Sequence, residues 1–411
     1  MSIFFYNLSI FLYGKLIYII SFFNKKADLW IKGRIETEKF HFKEKTIWMH
    51  CASLGEFEQG RPLIELLKIE YPQYPIVISF FSPSGYEIRK NYPLATKVIY
   101  LPLDTTTQAK KIIDSINPAI VIWVKYEFWW NHLAEIKKRN IPVILTAAIF
   151  RDSQPFFKWY GQSWRKGIQL FHFLFVQNKT SLELLNSINI NNAAIVGDTR
   201  FDRVKKIADN QTDIPFIKDF INGCKVIVAG STWEADEKLF APTIINLKNI
   251  KFIIVPHDIH PANIIRLKKN FKNSPSYSEV IKNNALAQST NFLIIDSIGL
   301  LSTLYQYANI VYVGGGFGKG IHNILEPAVY GVPVLFGPNH EKFAEATEMI
   351  NRGGGFSIKN SIDFTSTVMT LLNNNEAISL AGKNSKDYVL SKLGATEKIE
   401  AYIKLNRLLT N

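Results

Sequence analysis

Residues 309–340 read NIVYVGGGFGKGIHNILEPAVYGVPVLFGPNH, and this stretch narrows the possible folds further than any other part of the chain. A short β-branched run (310–313) precedes a glycine cluster (Gly314, Gly315, Gly316, Gly318, Gly320). A helix is predicted to open near Glu326 and Pro327, and a second apolar run follows at 332–336, which makes a βαβ unit of a parallel sheet. Glycines after the first strand let backbone N–H groups approach a ligand closely, and a helix start behind them favours an anion, so the turn reads as a phosphate cradle. Tight strand-to-helix turns also use glycine for steric reasons alone. The polar set Lys319, His322, Asn323 and Glu326 is what adds chemistry. With Pro327 as first helical residue, Glu326 falls at the cap, a position glutamate fills poorly, and its carboxylate is free for a pair of ribose hydroxyls. The alternative makes Asn323 the cap and Glu326 its capping-box partner.

The same alternation runs through the chain from residue 46. Strands are predicted at 46–52, 76–81, 97–101, 119–124, 143–148, 173–176 and 194–196, with helices between them, for example at 62–70 and 106–116. After a more polar interval at 205–222 they resume at 225–229, 252–256, 292–295, 310–313 and 332–336. With 411 residues, 47% of them hydrophobic, there is enough chain for two domains. The expected fold is α/β, two doubly wound Rossmann-like domains facing a cleft, with ligands at the carboxyl ends of the strands. The expected limits are 1–24 for an N-terminal anchor, 25–208 for the first domain, 209–385 for the second, and 386–411 for a helical tail.

Two distant cysteines, Cys51 and Cys224, make no disulfide framework. A formal charge of +13 suggests an anionic partner. No zinc knuckle, RNA-binding signature or long basic helix occurs, which points away from nucleic acid and toward a membrane surface. Residues 3–23 are almost wholly apolar and aromatic, interrupted by Asn7, Gly14 and Lys15. A helix of that length reaches about 30 Å, but a central lysine is expensive in a bilayer. The segment is expected to anchor the chain, either spanning the membrane or lying in its interface; the alternative is a buried globular helix. Lys25, Lys26, Lys32 and Arg34 follow and place the remainder on the cytoplasmic side.

Several segments at predicted strand ends carry polar groups. CASLGEFEQGRP (51–62) offers Glu56 in a glycine-flanked turn, where a general base belongs, although Glu56 or Glu58 could instead cap a helix starting near Gly60. WVKYEFWWNHL (123–133) carries Glu127 with Trp129, Trp130 and Asn131. AGSTWEADE (229–237) is a strand, a turn and a helix start, in which Ser231 and Thr232 serve an anion or simply cap the helix. VGDTRFD (196–202), VPHDIHP (255–261) and IIDSIG (294–299) are shorter polar turns. There is no H-E-x-x-H, paired-cysteine or D-x-D spacing for a metal.

Taken in order, these segments resemble the Kdo (3-deoxy-D-manno-octulosonic acid) transferases, GT-B glycosyltransferases of lipopolysaccharide core synthesis. The specific matches are S-x-G-E at 53–56, G-S-T with a later glutamate at 230–237, and H-N-x-L-E-P-A at 322–328 followed by G-x-P-V and G-P-N. The resemblance covers most of the chain beyond residue 45. It implies an inverting, metal-independent transferase without cofactor, with CMP-Kdo as donor, a lipid A precursor (lipid IVA) as acceptor and inner-membrane lipids as surroundings. Glu56 would be the base and Glu127 a second cleft carboxylate. Arg151, Ser231, Thr232, His257, Gly316, Lys319, His322, Asn323 and Glu326 would bind the donor. The family's last helix returns to the first domain. The chain departs from the pattern at Lys125, where an acid is usual, at Trp130, at Phe150 and Asp152 around Arg151, and at 255–261, where the arginine is missing.

Overall fold

The computed structural model describes residues 3–36, 40–125, 127–247, 249–272, 274–288 and 290–410. By its internal contacts the chain divides into two units, Met1–Arg203 with Leu393–Asn411, and Val204–Lys392. The domain limits expected at 208 and 385 fall inside the helices Thr199–Asp209 and Asn375–Leu390. A polar composition marks solvent exposure of a segment, not the end of its helix.

The first unit is built on seven parallel strands: β1 (Thr46–Cys51), β2 (Ile76–Phe80), β3 (Lys97–Tyr100), β4 (Pro118–Val124), β5 (Val143–Ala148), β6 (Phe173–Val176) and β7 (Ala193–Ile195). Their order is β3-β2-β1-β4-β5-β6-β7. Each of β1, β2 and β5 is buried along its whole length, which is why these runs are apolar without alternation. The order reverses between β1 and β4, so the turns after these two strands flank the crevice where doubly wound sheets take ligands. The helices used below are α1 (Ile3–Ser21), α2 (Lys25–Glu36), α3 (Leu54–Glu70), α4 (Pro83–Arg89), α5 (Thr106–Ile116) and α6 (Trp130–Lys138).

Helix α3 starts at Leu54, not near Gly60, and Pro62 lies inside it. The predicted helix at 62–70 would place this proline at its first residue. It is tolerated deeper because it is buried against the sheet with Leu63 and Leu67. Gly60 brings the helix close: a Cβ there would lie 2.6 Å from Met49 Sδ.

By length and composition α1 could cross a membrane. One side of it is docked on the first unit. The Tyr6 hydroxyl donates to Asp104 (2.5 Å), its ring stacks on Trp130 (centroids 5.2 Å apart), Asn131 donates to Asn7 (2.9 Å), and Gly14 packs on Leu103. The other side leaves Phe4, Phe5, Phe11, Leu12, Leu16 and Ile19 exposed.

The end of the chain completes this unit. Asp202 accepts from the backbone N–H groups of Gly394 and Thr396 (2.8 Å each) and from the Thr396 hydroxyl, opening the helix Ala395–Leu405. Ala395, Ile399 and Ile403 then join Leu63, Leu67 and Tyr71 in one apolar core. The segment at 196–202 is thus structural.

The second unit has six parallel strands, β8 (Lys225–Thr232), β9 (Ile250–Pro256), β10 (Phe292–Ile294), β11 (Ile310–Val313), β12 (Val334–Phe336) and β13 (Gly355–Ser357), in the order β10-β9-β8-β11-β12-β13. Only β13 had no sequence signature: it is three residues long and follows two glycines. The reversal here lies between β8 and β11, the strands that carry the 229–237 and 314–326 segments.

Candidate active site

In the first unit the turn after β1 holds Glu56 at the third position of α3. Its Oε2 accepts from the N–H groups of Ala52 (2.5 Å) and Ser53 (3.2 Å), closing a capping box with Ser53. Burial pushes the Glu56 carboxyl up, the nearby Glu127 charge pushes it further, and the two N–H groups with Lys125 oppose them. The outcome is a carboxyl pushed up to about 7. A carboxylate that exchanges its proton near neutrality is matched to general-base work.

Glu127 follows β4. Its Oε2 accepts from the Trp129 indole (2.9 Å) and lies 3.3 Å from His50 Nε2, while the Trp123 indole holds its backbone carbonyl (2.5 Å). Trp129 in turn stacks on Phe81 (4.6 Å). Both tryptophans thus anchor the glutamate as well as pack. Asn131 is turned away, donating to the Asp104 carbonyl and to Asn7. Beneath lies a fully buried pair, Asp104 and His132. Burial raises the Asp104 carboxyl, but contact with His132 outweighs it and holds the group below its ordinary value.

In the second unit β8 ends in a bulge with Ser231 in the left-handed region (φ 53°), and Trp233 caps the helix Glu234–Ile244. Thr232 is buried, and its hydroxyl donates to Glu237 (3.0 Å), which is ion-paired with Arg266. Neither Ser231 nor Thr232 is the cap. Asp236 joins β8 to the glycine loop: it accepts from the N–H groups of Trp233 (2.9 Å) and Gly315 (3.0 Å) and from the Tyr312 hydroxyl (2.7 Å). The Gly315 N–H thus points at protein, and Gly316 is needed for close packing, since a Cβ there would lie 2.6 Å from Gly337. The helix expected near Glu326 is a single turn, Leu325–Ala328, with Ile324 rather than Glu326 or Asn323 at its cap, while Asn323 Oδ1 accepts from the Leu325 N–H (3.1 Å). The Asn323 amide also donates to Glu326 (3.0 Å), so the two side chains are locked together.

Three rings stack above the strand ends. Trp233 lies 4.5 Å from His257, and His257 lies 4.6 Å from His322. Burial and the neighbouring His257 hold His322 below its ordinary value. Lys319 is exposed on the loop.

The known proteins that this chain is similar to point to one family. Residues 31–203 match the 3-deoxy-D-manno-octulosonic-acid transferase (kdotransferase) family. The 3-deoxy-D-manno-octulosonic acid transferases of Rickettsia typhi and Aquifex aeolicus are each 26% identical, over 87% and 82% of this chain and 78% and 89% of theirs. These likenesses support the Kdo transferase family.

The chain is also 28% identical to a bifunctional glycosyltransferase/methyltransferase of Fusobacterium nucleatum, over 94% of its own length and 59% of that protein's. Its architecture matches that of the UDP-GlcNAc 2-epimerase of Neisseria meningitidis (TM-score 0.60, 15% identity, 88% of this chain and all of that one), a likeness of fold alone. Two parallel-sheet α/β units of this kind are the GT-B class. Of the residues nominated from sequence, the structure gathers Glu56 and Glu127 at the β1/β4 crevice. It gathers Ser231, His257, His322, Asn323 and Glu326, with Lys319 at the rim, at the β8/β11 crevice. Thr232 and Gly316 lie there too, facing inward. Arg151 is exposed beyond β5 in the first unit. The sequence reading missed His50, Asp236 and Trp233. His50 had one available signal, a histidine within the mostly apolar run TIWMHC.

Proposed function

We propose that this glycosyltransferase moves Kdo, with inversion, from CMP-Kdo to a primary hydroxyl of a lipid A precursor such as lipid IVA, in lipopolysaccharide core synthesis at the cytoplasmic face of the inner membrane. The observation that carries the reading is Glu56, a partly buried carboxyl poised near neutrality at the topological switch point of the first unit. In this reading Glu56 takes the proton of the acceptor hydroxyl as its oxygen attacks the anomeric carbon, and CMP leaves. The second unit holds the donor. Ser231 and the loop at 316–323 meet the phosphate, with Lys319 supplying positive charge in place of a metal ion, and Glu326, steadied by Asn323, accepts from the ribose hydroxyls. Arg151 adds positive charge for the donor or acceptor. The exposed apolar side of α1 lies in the membrane interface, and the basic residues of α2 meet anionic lipid headgroups.

The test is a purified-protein assay with CMP-Kdo and tetra-acylated lipid A precursor, following CMP release and product mass together. Equal stoichiometry of CMP and a product heavier by Kdo is expected. A melting temperature raised by UDP or ADP and unmoved by CMP would replace the donor assignment.

A further inference from the structure

β1 carries a histidine, His50, within a mostly apolar strand, and it is fully buried. Its surroundings determine which nitrogen holds the proton. The Trp48 indole N–H can only donate, and it does so to the Ser79 hydroxyl (2.8 Å). The Ser79 hydroxyl also lies 2.9 Å from His50 Nδ1. On the other side, Nε2 lies 3.3 Å from the Glu127 carboxylate, which accepts only. For a neutral imidazole facing the Glu127 carboxylate, the consistent pattern is Trp48 to Ser79, Ser79 to His50 Nδ1, and His50 Nε2–H to Glu127. Burial holds the imidazole below its ordinary value, so it remains a neutral donor. Trp123 packs on the ring at 4.3 Å and prevents it from flipping.

We propose that His50 is a positioning residue for the transfer: with its tautomer locked by Trp48 and Ser79, it fixes the Glu127 carboxylate within electrostatic reach of Glu56. The inference rests on the reading of Glu56 as base. Donation to a carboxylate favours its charged form, and that charge is what keeps Glu56 able to accept a proton near neutrality. Other groups act on the same pair: Cys51 from β1, Lys125 from the β4 turn, Tyr6 and Tyr13 from α1, and Arg34 from α2. His132 acts on His50 from α6. Among the described residues, the hydrogen bonds to the Glu127 side chain come from His50 and Trp129.

The experiment is single-turnover transfer against pH for wild type, His50→Gln, His50→Leu, Glu127→Gln and the double variant His50→Leu/Glu127→Gln, each with its melting temperature. Removing the donor weakens the negative charge acting on Glu56, so Glu56 releases its proton more readily. His50→Leu and Glu127→Gln should therefore both move the acid limb of the rate profile to lower pH, by about one pH unit. The double variant should match Glu127→Gln alone. Glutamine at 50 keeps an N–H where Nε2 was, so His50→Gln should keep the wild-type limb. A folded His50→Leu enzyme with an unmoved limb overturns the proposal, as does a further shift in the double variant. Nitrogen NMR of wild-type His50 gives an answer independent of turnover: an Nε2–H tautomer is expected, and Nδ1–H overturns it. Failure of the base reading is distinct, because it shows as full transfer by Glu56→Gln.

Discussion

The indole N–H of Trp233 donates to Nε2 of His322 across 3.1 Å, which leaves the neutral imidazole its proton on Nδ1. The second unit thereby presents a ring donor of fixed orientation within its three-ring stack. Replacing Trp233 with phenylalanine keeps the stacking and frees the Nε2 lone pair for a proton. His322 should then titrate at higher pH, read by NMR; an unchanged titration would show that the hydrogen bond does not govern the tautomer. In the wild type His322 stays neutral while an unfolded histidine takes up its proton, so stability should fall as pH drops below about 6.5.

Glu56→Gln should lower single-turnover transfer by about 10² to 10⁴-fold while leaving CMP affinity unchanged. It should also stabilise the protein in alkaline buffer. A carboxyl raised in the fold contributes stability below its unfolded value, lost as pH rises through about 7, where the buried group must ionise. Glutamine still accepts from the Ala52 and Ser53 N–H groups and never ionises, so at pH 8 the gain is roughly 1–3 kcal/mol, and near pH 4, below the unfolded value, it should vanish. Denaturant titrations at both pH values check this, and equal gains at both would contradict the titration.

Asp236→Ala removes one acceptor shared by Trp233, Gly315 and Tyr312, leaving three donors without it in a buried place. A loss of about 3–5 kcal/mol in the second unit is expected, with CMP binding falling alongside because the glycine loop loses its tether. A loss below about 1 kcal/mol in denaturant unfolding would mean that the loop is held elsewhere.

Deleting residues 1–24 should move the protein from sedimenting vesicles of anionic lipid toward the supernatant, and it should also destabilise the first unit. The second effect follows from the docked side of α1, whose loss uncovers Trp130 and removes the Tyr6 hydroxyl from Asp104. A truncated protein as stable as the full chain would show the docking to be incidental.

How much of this was legible in the sequence depended on how far apart the interacting residues lie. Buried parallel strands announce themselves as short β-branched runs, and all but β13 were found. The glycine loop and the turns holding Glu56 and Glu127 were visible because each is local to a strand end. His50 with Glu127 and Asp236 with Gly315 were not, since each pair is separated by more than seventy residues and meets only once the strand order is fixed. Thr232 was read as a ligand or cap because its inward partner, Glu237, is decided by rotamer rather than by spacing. Pro62 misled for a related reason: a proline marks a helix start unless the chain before it already makes a good cap, as Ser53 and Glu56 do.

The clamp of Asp202 on Gly394 and Thr396 sets a schedule for synthesis. Residues 393–411 leave the ribosome only after the entire Val204–Lys392 unit, a wait of about 10–40 s at roughly 5–20 residues per second. Throughout that interval Leu63, Leu67 and Tyr71 on α3 lack the apolar side chains that cover them in the finished core. Until then this face of the nascent first unit stays open to solvent, and translation that stops short of residue 393 leaves it uncovered.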